Sequence, residues 1–201
     1  LCWETAFPDI MSAGGFDVVL GNPPYVRQGL FSDLKPWLKE NYLVYHGVAD
    51  LSAYFFELGH RLLKPGGRLG YISSKTFFKT VFGAPLRDYL RQHVSLEQVI
   101  DFGDAQVFAG VLTYTAIITL QNFPPSANSH IKILSLTESL PKNLTAHFSQ
   151  EPITMRQGQL GRESWQLESE AMFALRKKLT TGHPTLKEVY GSPHSGLETG
   201  C

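Results

Sequence analysis

Four residues, Asn22-Pro23-Pro24-Tyr25, follow directly on the apolar run Phe16-Asp17-Val18-Val19-Leu20-Gly21, and this junction constrains the fold more than any other stretch. Such near-continuous hydrophobicity suits a strand covered on both faces in a parallel sheet. Each proline fixes its own φ, lacks an N–H and pushes the preceding residue out of the helical region, so Asn22 and Pro23 are held extended. A rigid segment at a strand end aims the Asn22 side-chain oxygen and the Pro23 carbonyl at one point. Two converging acceptors suit an NH2 group, and Tyr25 adds a flat face beside them, as recognition of a planar exocyclic amine requires. Asn-Pro and Pro-Pro are also ordinary loop punctuation, and without the strand in front a plain turn is the better reading.

At 201 residues the chain is long enough to bury a core, with a prior of one to two domains. The 18 Lys and Arg balance the 18 Asp and Glu, so no whole-chain basic field points to nucleic acid and any such contact rests on local patches. Cys2 and Cys201 sit at opposite ends, giving neither a disulfide framework nor zinc spacing, which fits a reducing, cytoplasmic setting. No apolar run reaches membrane-spanning length and no signal peptide opens the chain, so no membrane partner is expected. The seven histidines lack ligand spacing, and no Walker loop, HExxH or GxSxG is present, so metal and triad chemistries have no support. The chain opens at Leu1 and stops at Cys201 in mid phrase, and we expect a fragment of something larger.

Residues 1–12 read as a connector in which Trp3 and Phe7 pack, and residues 26–47 as a long irregular segment. Arg27 is the residue of that segment best placed to meet a phosphate. Asp50 reads as an N-cap, followed by Leu51, Tyr54, Phe55, Leu58 and Leu62 at helical spacing. Lys64-Pro65-Gly66-Gly67 ends that helix, and Arg68 to Ser73 returns as a strand, a crossover of the doubly wound kind. Lys75 and Lys79 then follow a strand's carboxyl end, the edge where open α/β sheets hold ligands, and are DNA-facing candidates. Pro85 opens a helix with Leu86, Leu90 and Val94 on one side and Arg87 and Arg91 on its polar side. Strands are predicted at 96–102 and 113–120, the latter as half of an antiparallel hairpin at the sheet edge. Asn122 to Ser129, with Pro124-Pro125, is the candidate boundary. Beyond it 130–136 is strand-like, 141–162 has no clear period, and 168–179 is a helix with acids early and basic residues late.

Asn-Pro-Pro-Tyr after an apolar strand resembles the catalytic motif of S-adenosylmethionine-dependent amino-methyltransferases acting on DNA. The longer string from Gly14 to Gln28 is similar to the adenine-N6 methyltransferase part of fused restriction-modification enzymes, and Leu62 to Leu69 resembles a phrase shared by many methyltransferases of this fold. The resemblance implies the C-terminal half of a doubly wound, Rossmann-like α/β sheet with an antiparallel edge hairpin and a mixed extension. It assigns 1–125 to part of the catalytic domain and 126–201 to a linker and the start of a target-recognition domain, whose opening Ser195 to Gly200 resembles. It implies that Asn22 and the Pro23 carbonyl accept the adenine amino hydrogens, that Tyr25 stacks on a base flipped out of double-stranded DNA, and that Phe108 packs on the other side. Asn22, Pro24 and Phe55 take positions that meet S-adenosylmethionine in such enzymes. A glycine-rich cofactor loop and an acidic strand end for the ribose are not found in the sequence, so this stretch alone is expected to be inactive. The alternatives are a methyltransferase acting on a protein glutamine amide, and a non-catalytic DNA-specificity module that keeps the fold. Phe108 and the long extension favour DNA over the amide, and an intact Asn22 to Tyr25 favours catalysis over a module.

Overall fold

The computed structural model describes residues 2–26, 28–105, 107–108, 114–136 and 140–191. Arg27 and the Ser195 to Gly200 stretch therefore lie outside the described residues, as does most of the segment just after Phe108. Contacts divide the chain into two compact units, Leu1–Leu167 and Glu168–Cys201.

The first unit is built on one six-stranded sheet of order β1-β2-β4-β3-β5-β6, with β1 at Phe16–Gly21, β2 at Leu63–Ser74, β3 at Ser95–Asp101, β4 at Thr115–Gln121, β5 at His130–Ser135 and β6 at Ile153–Arg156. Strand β1 pairs parallel with β2 and β3 parallel with β5, while β4 runs antiparallel to both β2 and β3. Strands β1, β2, β3 and β5 thus share one direction. Helices α3 (Lys35–Asn41) and α4 (Leu51–Arg61) make the crossover from β1 to β2, and α5 (Ala84–His93) the one from β2 to β3. Two short helices, α1 (Trp3–Ala6) and α2 (Pro8–Ser12), precede β1, and Trp3, Phe7 and Phe16 pack as a ring cluster with centroids 5.5–6.0 Å apart.

The sequence pattern explains most of these elements. Asp50 has extended backbone angles and its carboxylate accepts the Ser52 N–H at 3.0 Å, satisfying one of the orphan donors at the start of α4. The helix buries Ala53, Tyr54, Phe56 and Glu57 against β2 and α5, so its inward stripe is rotated from the predicted one and leaves Phe55 half-buried. Gly59 permits that approach, because a Cβ there would meet Leu69 Cδ1 and the Tyr71 hydroxyl at 2.5 Å. Phe56 is wholly buried, with an edge contact to Tyr71 at 5.3 Å and a tilted one to Phe77 at 5.7 Å. Burial of each such side chain contributes about 1.5–3 kcal/mol.

Several expectations need correction. Strand β1 is not covered on both faces: Val19 packs against the core, whereas Val18 and Leu20 are 54% and 77% exposed. The reason is position, since β1 is first in the strand order and α3, α4 and α5 pack on the opposite face. Strand β2 begins at Leu63 rather than Arg68, absorbing Lys64 to Gly67 in a register shift against β1. The segment after Tyr25 is less irregular than predicted: a 3-10 stretch at Gln28–Leu34 leads into α3. Buried Glu57 holds its end, accepting the Leu43 and Val44 N–H groups at 3.2 and 2.9 Å and pairing with Arg61.

The predicted hairpin is present as β3 and β4, but β5 and β6 extend the sheet beyond it, so β4 is an interior strand. The Pro-rich stretch after Asn122 is accordingly a turn between β4 and β5, and the first compact unit continues to Leu167. The extension returns to the core. Gln157 is buried, its side chain accepting from Leu96 N at 2.9 Å and donating to Val94 O at 2.7 Å. Trp165 is buried against Phe77 and Phe78, with its backbone N–H on the Phe78 carbonyl at 2.8 Å. Arg87, expected on the polar side of its helix, is buried, donating to the carbonyls of Phe77, Thr80 and Arg162.

The second face carries a smaller cluster of Ile100, Phe102, Leu134 and Leu136, onto which Leu144 and Phe148 of α6 (Leu144–Gln150) pack. In the second unit, α7 (Glu170–Thr180) is capped by Ser169 and α8 (Leu186–Tyr190) by a Thr185–Glu188 capping box.

Candidate active site

The shared direction of β1, β2 and β3 brings the loops that follow them to one edge. Register fixes this: Gly21 lies beside Tyr71, Ser74 beside Thr115, and Asp101 beside Ala116. Asn22 to Tyr25, Lys75 to Lys79, and the residues Phe102 and Tyr114 therefore sit at the same carboxyl edge, the ligand-holding edge of an open α/β sheet.

The Asn22 corner is anchored on two elements. The Val26 carbonyl accepts the Leu51 N–H at 3.0 Å, so the corner also satisfies the first turn of α4. The Tyr25 hydroxyl donates to the Ile72 carbonyl of β2 at 3.4 Å. Burial pushes the Tyr25 phenol above its ordinary range and the nearby Asp50 carboxylate adds to this, so at neutral pH it stays a protonated donor. Pro23 is buried while Asn22 and Pro24 are exposed and Tyr25 is half-buried. The ring that fixes the chain is locked in the protein, and the Asn22 amide is open to an incoming group.

Of the three consecutive aromatics in α4, Tyr54 and Phe56 are core residues, and Phe55 packs against the same core while staying partly accessible. Its carbonyl accepts the Tyr71 hydroxyl at 3.4 Å, fixing the backbone that carries the ring. Phe108 is half-buried, whereas its neighbour Val107 packs on the second core cluster. Lys79 is exposed, but Lys75 is not a free cation: it pairs with Asp101 and donates to the Gly103 carbonyl at 3.2 Å. Lys75, Lys79, Thr80, Asp101, Asp104 and Tyr114 are among the residues lining a cleft of about 320 Å³ at this edge.

A larger cavity of about 630 Å³ lies elsewhere, lined by Val18, Leu20, Arg68, Gly70, Gln98 and Lys132 among others. These residues lie on the open face of the sheet, and the lining includes none of the loop residues that follow the strands at the carboxyl edge.

Sequence reasoning missed Asp101 and Glu57. The signal for Asp101 was an acid closing an apolar strand, the same pattern that delivers Asn22 at the end of β1. Glu57 carried no local signal, because its partners are backbone N–H groups thirteen and fourteen residues away.

Residues 1–108 match the model of the Eco57I restriction-modification methylase family. The chain belongs to that family. Among its relatives, the type II methyltransferase M.XhoI of Xanthomonas vasicola is 30% identical over 198 residues, covering 92% of this chain and 36% of the relative. The Escherichia coli type II restriction enzyme and methyltransferase RM.Eco57I is 36% identical over 109 residues, 52% of this chain and 11% of its own. This Eco57I-family chain thus spans about a third or less of these relatives. Its fold is also seen in solved structures. A putative class I S-adenosylmethionine-dependent methyltransferase from Listeria monocytogenes superposes with a TM-score of 0.51 at 20% identity, covering 68% of this chain and 42% of the other. The type IIG restriction endonuclease BpuSI gives 0.52 at 18% identity over 74% of this chain and 20% of its own.

Proposed function

We propose that this chain is the target-amine half of an adenine-N6 DNA methyltransferase, acting within a longer cytoplasmic restriction-modification protein. The observation that carries the reading is the Asn22 corner at the carboxyl end of β1, with Pro23 buried and the Asn22 amide exposed. The Asn22 side-chain oxygen and the Pro23 carbonyl accept the two hydrogens of the target amino group. The nitrogen lone pair is ordinarily delocalised into the ring, and holding both hydrogens favours a more tetrahedral nitrogen whose lone pair points outward. Tyr25, its hydroxyl fixed on Ile72, offers a ring face to the base, and Phe108 packs from the other side.

S-adenosylmethionine fits the residues present on one side: Phe55 is partly accessible on α4, and Asn22 and Pro24 are exposed at the carboxyl end of β1. When bound, it supplies an electrophilic methyl group on a sulfonium. The chain's own part is to present the amine, to stack the base and, through Arg27 and Lys79, to meet the phosphates of double-stranded DNA. With only one wall of the cofactor pocket identified, this stretch alone is inactive.

In the full-length protein, Asn22→Ala is expected to lower adenine methylation at least a hundredfold while DNA binding changes less than threefold. Undiminished methylation by this variant would sink the assignment.

A further inference from the structure

Lys75 ties together both ends of the loop that bears Phe108. Its ammonium pairs with the Asp101 carboxylate and donates to the Gly103 carbonyl at 3.2 Å. Asp101 in turn accepts the Gly103 N–H at 2.8 Å, at a glycine whose φ of 58° lies in the left-handed region that side chains disfavour. At the far end of the loop, the Lys75 backbone N–H donates to the Tyr114 carbonyl at 2.9 Å, and the Lys75 ammonium lies 5.8 Å from the Tyr114 ring centroid. The Lys75 and Asp101 side chains are 19% and 22% exposed, so the pair is largely withdrawn from solvent.

Strand order gives this clasp its meaning. Asn22 follows β1 while Phe108 follows β3, and β2 and β4 lie between them. At about 4.8 Å per strand the two loops leave the sheet about 14 Å apart. Two rings that sandwich a base lie much closer than that, so Phe108 has to reach across the end of β2 toward Tyr25. Lys75 stands at the end of β2, and it holds Gly103 and Tyr114, which flank Phe108 in the chain.

Resting on the adenine-methylation reading, we propose that Lys75 and Asp101 are positioning residues that set Phe108 against the target base, and that Lys75 is not a DNA-phosphate contact. The test uses the full-length protein and duplexes carrying its methylated site, with 2-aminopurine replacing the target adenine for the flipping readout. Lys75→Met and Asp101→Asn are each expected to lower kcat ten- to a hundredfold and to reduce the 2-aminopurine fluorescence gain. DNA affinity and its salt dependence should stay as in the wild type, and Lys75→Arg should recover part of kcat.

A phosphate contact predicts a different pattern: Lys75→Met would shallow the slope of log K against log salt by about 0.9 with kcat intact, and Asp101→Asn would have no effect. That outcome overturns the proposal, as does wild-type flipping fluorescence in both variants. Thermal melts identify a variant that fails to fold, and a folded Asp101→Asn then decides alone, because a carboxylate cannot be a phosphate ligand. If the wild type does not methylate adenine, the underlying reading fails instead.

Discussion

At the residue scale, partly buried polar groups tie the elements to one another, and His60, at the amino end of β2 and so at the sheet edge opposite the candidate site, shows this best. Its Nδ1 lies 2.7 Å from the Tyr89 hydroxyl and its Nε2 lies 2.8 Å from Asn122 Oδ1. The Asn122 amide N–H groups already donate to the Leu63 and Lys64 carbonyls, so Oδ1 must accept, Nε2 carries the hydrogen and Nδ1 takes the Tyr89 proton. The network staples α4, α5, β2 and the end of β4 with a neutral imidazole. Burial lowers the His60 pKa below its ordinary 6.5, with the Asn122 hydrogen bond opposing the shift. The unfolded chain therefore binds the proton more readily than the folded one. This contribution to stability is full above about pH 6.5 and declines as pH falls toward the depressed folded value. Urea melts of the wild type and His60→Gln should show the difference between them shrinking from pH 8 to pH 5.5. A difference that stays constant across that range would contradict this account of His60.

At the element scale, the chain shows where a sequence is readable and where it is not. The Asn22 corner, the Asp50 cap and the strands at Ser95–Asp101 and His130–Ser135 were legible because their signals are local: a proline after a strand, an acid before a helical period, an apolar run. What was not legible depends on partners far along the chain. Arg87 reads as a polar-face residue until the carbonyl of Arg162 is seen beside it, 75 positions later. Residues 141–162 show no clear period because their elements are short, α6 of seven residues and β6 of four, and the remainder packs on other elements. Lys75 looked free for the same reason, its acid lying 26 residues onward. The extension is a structural member of the first unit, and Trp165 is its main apolar anchor. Trp165→Ala should cost about 3–5 kcal/mol in chemical denaturation, as large-to-small changes in a packed core do. A loss under about 1 kcal/mol, the size expected of a surface change, would show that the extension is only laid on the surface.

At the scale of the whole molecule, the candidate site draws on several loops of one sheet edge. Parallel strands put the corner, the lysine loop and the Phe108 loop on one edge, and family membership comes with the fold on which such an edge is used. The open face bearing Val18 and Leu20 and the unpaired side of β1 are the features a parallel sheet ordinarily covers. The central claim is that the Asn22 corner serves an adenine amine. Its most direct test is nucleoside mass spectrometry of duplex DNA incubated with the full-length protein and methyl-labelled S-adenosylmethionine. The account predicts label in N6-methyladenine and none in methylated cytosines, lost on Asn22→Ala. Label in cytosine, or in adenine undiminished by the substitution, would contradict it.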